Sequence, residues 1–226
     1  MCGRFSLAVP LKDLLEVFGP LDIDPSVERL FAPRYNIAPT QQIAAVREEG
    51  GRRKLLALKW GLVPSWAKDP AIGVKMLNAR GETVAEKPSF RSAYKKRRCV
   101  LPAGGFYEWK REGKNKQPFH IVRRDGRVLA LAALWERWEP KDGAALETCA
   151  IVTIGPNAVM EPIHDRMPVI LDGGTLDAWL NPETPAEDLP KLIAPCPADW
   201  IRAYPVSQKV NKATYNEADC VLPFEA

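Results

Sequence analysis

The apolar positions along this chain fall into two kinds of run. One kind has helical spacing: LKDLLEVFG (11–19) places leucines and a phenylalanine three and four apart and ends on glycine, which predicts a short helix. TLDAWL (175–180) and PAEDLPKLI (185–193) predict two more short helices, and GPNAVMEPI (155–163) predicts one or two helical turns. The other kind is short and rich in β-formers. KLLALKWGLVP (54–64), CVLPAGGFYEW (99–109), QPFHIVRR (117–124), RVLALAALWERW (127–138), ETCAIVTIG (147–155) and MPVIL (167–171) predict strands, joined by charged or glycine-containing turns such as RRDGR and PKDGA. PRYNIAPTQQ (33–42) is predicted to be a proline-bounded loop. Strands dominate, and several connections are too short for parallel crossovers. The expectation is an α+β fold with a mostly antiparallel, barrel-like sheet and short peripheral helices, in one domain spanning 1–226.

Composition narrows the function classes. The 226 residues are 46% hydrophobic and 27% charged, enough to bury a core. A net charge of +4 permits contact with nucleic acid without demanding it. The five cysteines form no C-x-x-C pair and only two histidines are present, so neither a disulfide framework, a metal cage nor any cofactor is expected. No apolar run reaches membrane-span length and no signal peptide is recognisable, so the expected compartment is reducing and cytoplasmic, with no membrane partner. The basic runs RRK (52–54) and KKRR (95–98) are expected to be solvated turns that add long-range attraction for polyanions.

Candidate chemistry begins at MCGRF (1–5). Methionine is commonly trimmed before a small residue, which would leave Cys2 with a free α-amine and a thiol on adjacent carbons. Such a 1,2-aminothiol condenses with an aldehyde to an imine, and its sulfur can then close a five-membered thiazolidine; a lysine could make the imine but not the ring. Glu108 lies between two aromatics in GGFYEWK, a setting for a carboxyl with a raised pKa that shuttles protons. His164 stands beside Asp165 and Arg166 in PIHDRMP, a candidate acid/base. Asn78 and Arg80, at alternate positions of MLNARGE, would face one side of a strand, one to hold a carbonyl and one to grip phosphate. His120 reads as structural or surface. Each residue also has an ordinary reading: a small hydrophobe at Cys2, an exposed strand glutamate at Glu108, a turn histidine at His164, a solvated arginine at Arg80.

Seven stretches taken together resemble the SRAP family, the SOS-response-associated peptidases that sense abasic sites in DNA. They are MCGRF (1–5), RYNIAP (34–39), WGLVPSW (60–66), NARGET (78–83), GFYEWK (105–110), IHDRMP (163–168) and PVSQKVN (205–211), in the family's order and through most of the chain. The resemblance implies a barrel-like α+β fold with a basic groove and a partner in single-stranded DNA containing abasic sites, bound by a monomer. It implies that the Cys2 amine attacks C1′ of the opened sugar and that the thiol closes a thiazolidine crosslink. Asn78 would position Cys2 and the sugar; Glu108 would act in condensation and closure; His164 would assist ring opening, proton transfer and crosslink reversal. Arg80 and Arg166 are implied phosphate contacts, Arg4, Asn36 and Pro39 line the site, and Trp66 bends and stacks the strand. Strand cleavage by β-elimination is implied beside the crosslink, and the family's peptidase activity would be removal of Met1. Two departures stand out: Ala67 where some relatives carry a second tryptophan, and Gly81 where bulkier residues occur, predicted to loosen that turn. At this level an N-terminal cysteine hydrolase and a non-catalytic nucleic-acid-binding module stay open as rival readings.

Overall fold

The computed structural model describes residues 2–113 and 115–224, and of Glu112 the backbone. Met1, on whose removal the expected chemistry depends, lies outside the described residues. Among the described residues the strands are β1 (Arg4–Leu7), β2 (Asp22–Ile23), β3 (Arg34–Ile37), β4 (Gln42–Glu49), β5 (Arg52–Trp60), β6 (Asn78–Arg80), β7 (Arg98–Ala103), β8 (Gly105–Glu112), β9 (Asn115–Arg123), β10 (Leu129–Trp138), β11 (Leu146–Ile154), β12 (Met167–Pro168), β13 (Ile170–Leu171) and β14 (Ile201–Pro205). The α-helices are α1 (Leu11–Phe18), α2 (Arg91–Lys96) and α3 (Gly173–Leu180).

Two sheets result. β4, β5, β11, β10 and β7 hydrogen-bond in a closed ring, the parallel β5–β11 contact completing the barrel, with β2, β6, β12 and β13 added outside it. The second sheet runs β14-β9-β8-β1-β3, antiparallel throughout. The α+β, mostly antiparallel, barrel-like expectation holds. β10 explains why the ring is stable: Leu129 through Leu134 are all buried, so both faces of the strand are covered and its sequence is a continuous apolar run. Each large side chain so buried contributes roughly 1.5–3 kcal/mol. One apolar cluster extends from the barrel into the second sheet through Phe5 and Phe106.

Helix α1 forms as its spacing predicts, burying Leu14 and Phe18, and stops where Gly19 takes φ +70° and donates its N–H to Leu15 O. Helix α3 begins two residues earlier than expected, because Asp172 caps it in a reciprocal box with Thr175. The 185–193 stretch gives only a 3₁₀ segment, Leu189–Leu192, since Pro190 lacks the N–H a longer helix needs. Residues 157–164 form hydrogen-bonded turns rather than helix, and MPVIL splits into two short strands on different partners, β12 on β11 and β13 on β10.

Three further departures matter for the site. The run CVLPAGGFYEW is two strands: β7 stays in the barrel and β8 crosses into the second sheet at Gly104 and Gly105. A Cβ on Gly105 would lie 2.3 Å from His120 Nε2, so only glycine lets β8 pass that close. The expected loop at 33–42 contains β3, an edge strand whose Tyr35 and Asn36 N–H groups are satisfied by Asn216 Oδ1 at 2.8 and 3.1 Å instead of by another strand. Nor are the basic runs solvated turns. Arg98 is buried and donates to the carbonyls of Tyr94, Lys95, Trp179 and Asn181, closing the C-terminal ends of α2 and α3. RRK opens β5, where Arg53 pairs with Asp177 and Lys54 with Asp24.

Candidate active site

The two sheets converge on Cys2. It lies one residue, Gly3, before β1, which runs between β3 and β8, while β6 is carried on the barrel strand β11 with Asn78 opposite Ile151. Trp60 locks the two together: its buried indole meets Phe5 of β1 edge-on at 5.3 Å and donates to Leu77 O, next to Asn78, at 3.0 Å. The consequence is direct. Asn78 Nδ2 donates to the Cys2 carbonyl at 3.0 Å. Asn78 Oδ1 is buried and accepts no hydrogen bond among the described residues, which leaves an acceptor beside Cys2.

Cys2 is fully buried, and burial followed by the nearby Glu108 pushes its thiol well above the usual thiol range. The thiol is therefore protonated at neutral pH, and any ring closure by its sulfur needs a base. Glu108 is suited to that need. It lies in β8 opposite Phe119, is 2% exposed, and burial raises its pKa to about 7, so both protonation states are populated near neutrality.

His164 Nε2 stands 3.7 Å from Glu108 Oε2. The loop that carries it is held by Asn157, whose Oδ1 accepts the N–H groups of Val159 and Met160 and whose Nδ2 reaches Cys196 O. The Arg166 N–H donates to His164 Nδ1 at 3.0 Å. Nδ1 thus meets both this N–H and the Asp165 carboxylate, while Nε2 is the nitrogen that faces Glu108. Burial lowers the His164 pKa, while the exposed Asp165, 2.9 Å from Nδ1, pulls the other way.

Cys2, Asn78, Glu108 and His164 are thus brought together; the other expected site residues divide. Arg4 is used by the scaffold: its guanidinium donates to Asn36 Oδ1 (2.8 Å) and to the carbonyls of Val210 and Asn211. Asn36 is buried and donates to the carbonyls of Val210, Lys212 and Tyr215. Arg166 is closed in a bidentate pair with Glu82 at 2.5 and 2.9 Å and also donates to Thr153 O. Pro39 is half-buried in the turn before Thr40, whose φ of +69° is unusual for a β-branched residue. Arg80 is exposed, and its side chain makes no hydrogen bond among the described residues. Trp66 is 59% exposed in a different cleft, of about 670 Å³, with Ile72 and Val74 on its wall. Gly81 does not loosen its turn: Ile193 packs where a Cβ would be, 2.4 Å away.

His120 is buried rather than at the surface. It stacks on Tyr107 at 4.7 Å and bridges Ser6 Oγ (3.0 Å) to Tyr204 Oη (2.9 Å), and burial lowers its pKa to about 3. Among the described residues, no group of three His, Cys, Asp or Glu could hold a metal, and no helix is long and apolar enough to cross a membrane.

Two adjoining clefts open at the acid–base pair, of about 410 and 480 Å³, sharing Trp109, Arg111 and His164. Arg111, Lys116 and Asn211 carry no expected role from the sequence, yet Arg111 and Lys116 line the first cleft and Asn211 Oδ1 accepts from Trp109 Nε1 at 2.6 Å. The signal that finds Arg111 and Lys116 is the pairing of the hairpin formed by β8 and β9, which sets them opposite each other.

Residues 1–213 match the family model described as SOS response associated peptidase (SRAP). The chain is 44% identical over 223 residues to the abasic site processing protein YoqW of Bacillus subtilis, covering 98% of this chain and 99% of that one. It is 34% identical over 223 residues to the abasic site processing protein HMCES of Xenopus tropicalis, covering 84% of this chain and 66% of that protein. A crystal structure of a Bacteroides thetaiotaomicron protein superposes with a TM-score of 0.90 at 28% identity, over 99% of this chain and all of that one.

Proposed function

This chain belongs to the SRAP family, and from that premise we propose that it processes abasic sites in DNA by forming a covalent bond through Cys2. The observation that carries the reading is the grouping of Cys2, its carbonyl held by Asn78, with a buried Glu108 whose pKa is near 7 and with His164 beside it. The substrate is single-stranded DNA, acted on inside the cell by a monomer.

After removal of Met1, the Cys2 amine adds to the C1′ aldehyde of the opened deoxyribose. Protonated Glu108 gives a proton to the departing hydroxyl, so water leaves and an imine forms. The carboxylate then takes the thiol proton as sulfur bonds to the carbon of the protonated imine, whose C=N electrons settle on nitrogen and leave the ring as a neutral amine. One water is lost overall and Glu108 returns to its starting state. A base is required because the thiol is protonated in its buried position, and a carboxyl titrating near 7 can both give and take. His164, with Nε2 toward Glu108, supports opening of the sugar and reversal of the crosslink. Asn78 Oδ1 offers an acceptor to the amine or to a sugar hydroxyl. An imine that fails to close eliminates the 3′ phosphate, which accounts for a side lyase activity; removal of Met1 is the family's peptidase step.

Intact mass before and after exposure to a single-stranded oligonucleotide bearing one abasic site tests this. The expected masses are the chain without Met1, then that chain plus the oligonucleotide less one water. A Met1-free protein that gives no adduct would overturn the reading.

A further inference from the structure

The arginines that the sequence offers for phosphate are largely committed elsewhere. Arg4 braces the 210–211 turn and Arg166 is held by Glu82. Yet the cleft at Glu108 and His164 has a cationic wall of its own. In the hairpin of β8 and β9, Arg111 lies directly opposite Lys116. Side chains so placed are neighbours, and two like charges there repel unless something of opposite sign lies between them. No carboxylate of the described residues comes within ion-pair distance of either, and both are exposed. Next to them Trp109 is held by its hydrogen bond to Asn211 Oδ1, so an aromatic wall stands beside the cation pair. Both cations line the same 410 Å³ cleft as Glu108 and His164.

We propose that Arg111 and Lys116 form a phosphate subsite, walled by Trp109, that holds the nucleotide flanking the abasic sugar. The inference rests on the reading that this chain acts on abasic DNA, and adds which residues grip the strand beside the reacting carbon. An anion between the two cations relieves their repulsion, and a cation pair beside an aromatic face suits a single strand. The two side chains act by positioning and touch no reacting atom.

The test uses the Met1-free full chain with Arg111→Gln and Lys116→Gln together. The probe is a fluorescent single-stranded oligonucleotide carrying a tetrahydrofuran abasic analogue, which has no aldehyde and so reports binding alone. Expected is roughly tenfold weaker binding at low salt, as for loss of charge-assisted contacts. The slope of log affinity against log salt should also shrink by about 0.7 for each phosphate released. Arg111→Lys with Lys116→Arg should retain most of the affinity. Adduct formation with free 2-deoxyribose, which has no phosphate, should be unchanged, showing fold and chemistry intact. As a control for charge alone, Lys95→Gln with Lys96→Gln on α2 removes the same two charges. Wild-type affinity and slope in the site variant would overturn the proposal. So would a loss no larger than the control's, or an equal loss with 2-deoxyribose. A wild-type chain that binds the analogue through these residues but forms no adduct with a true abasic site would instead overturn the covalent reading and leave the subsite standing.

Discussion

Replacing Glu108 by Gln should stabilise the protein and disable it at once. The carboxyl is 2% exposed, and burial raises its pKa from an ordinary 4.5 to about 7. An acid whose pKa is raised on folding favours the folded state below its unfolded pKa. That favour is lost as pH rises from about 4.5 through about 7, because the folded chain holds the proton more tightly. The gap corresponds to about 3 kcal/mol of lost stability at pH 8 and above. Glutamine has the shape of the protonated acid and never ionises. The variant should therefore match the wild type near pH 4.5 and exceed it by up to about 3 kcal/mol at pH 8. His164 works against this in the wild type, since its lowered pKa disfavours folding as pH falls below about 6.5. Its contribution is common to both proteins and largely cancels in the difference. Urea unfolding of the two chains at half-unit steps from pH 4.5 to 8.5 gives that difference directly. In parallel, single-turnover crosslinking should fall by roughly 10²–10⁴, and the limb near pH 7 in the wild-type rate profile should vanish. A stability difference that stays flat with pH would refute the reasoning, because it would mean the carboxyl does not carry its burial cost in the folded state.

Other outcomes follow from the same geometry. Cys2→Ser keeps the amine and loses the ring, so the adduct should be heat-labile on denaturing gels, with more strand cleavage; a stable crosslink would rule out the thiazolidine. Asn78→Ala removes the bond to the Cys2 carbonyl and should slow crosslinking roughly 10- to 100-fold, while denaturant stability drops by only about 1 kcal/mol. Arg98→Met strips the donors from four carbonyls at two helix ends and should cost about 3 kcal/mol or more in urea unfolding; a loss under about 1 kcal/mol would show that water serves those carbonyls equally well. Trp66→Ala should leave stability within about 0.5 kcal/mol, because the ring is 59% exposed, and should weaken binding of the tetrahydrofuran strand by about 1–3 kcal/mol if a base stacks there.

What could be read from the chain depended on whether a residue's partners were local. Helix α1 and strands β5, β9, β10 and β11 were legible because their own periodicity fixes them. Strands β1, β3 and β14 were not. They are short, and their pairing is set by distant strands or, for β3, by the side chain of Asn216. The crossing at Gly105 was hidden for the same reason, since the need for glycine comes from His120, fifteen residues on. Among site residues, Cys2, Asn78, Glu108 and His164 could be nominated from their chemistry, and the fold sets them side by side. The arginines' roles were not legible, because an arginine in a motif looks the same whether it faces a phosphate or a carboxylate. Only the fold reveals that Glu82 has taken Arg166 and that Arg4 ties β1 to the turn at 210.

That commitment bears on how the cleft can work. On the proposed reading, a protein that captures abasic strands covalently gains little from tight general attraction to DNA, which would hold it on undamaged strands. Arg4 and Arg166 contribute to rigidity instead: one fixes the strand that presents Cys2, and the other fixes the turn that presents His164 through its own N–H. The groups that must hold still are thereby locked by buried or bidentate contacts, as preorganised chemistry requires. The cations that remain exposed at this cleft, Arg111 and Lys116, sit on a hairpin whose side chains can adjust to a strand as it arrives. If Arg111 and Lys116 grip phosphate as proposed, rigid chemistry beside an adaptable grip would let the aldehyde be tested for geometry after the backbone has been caught.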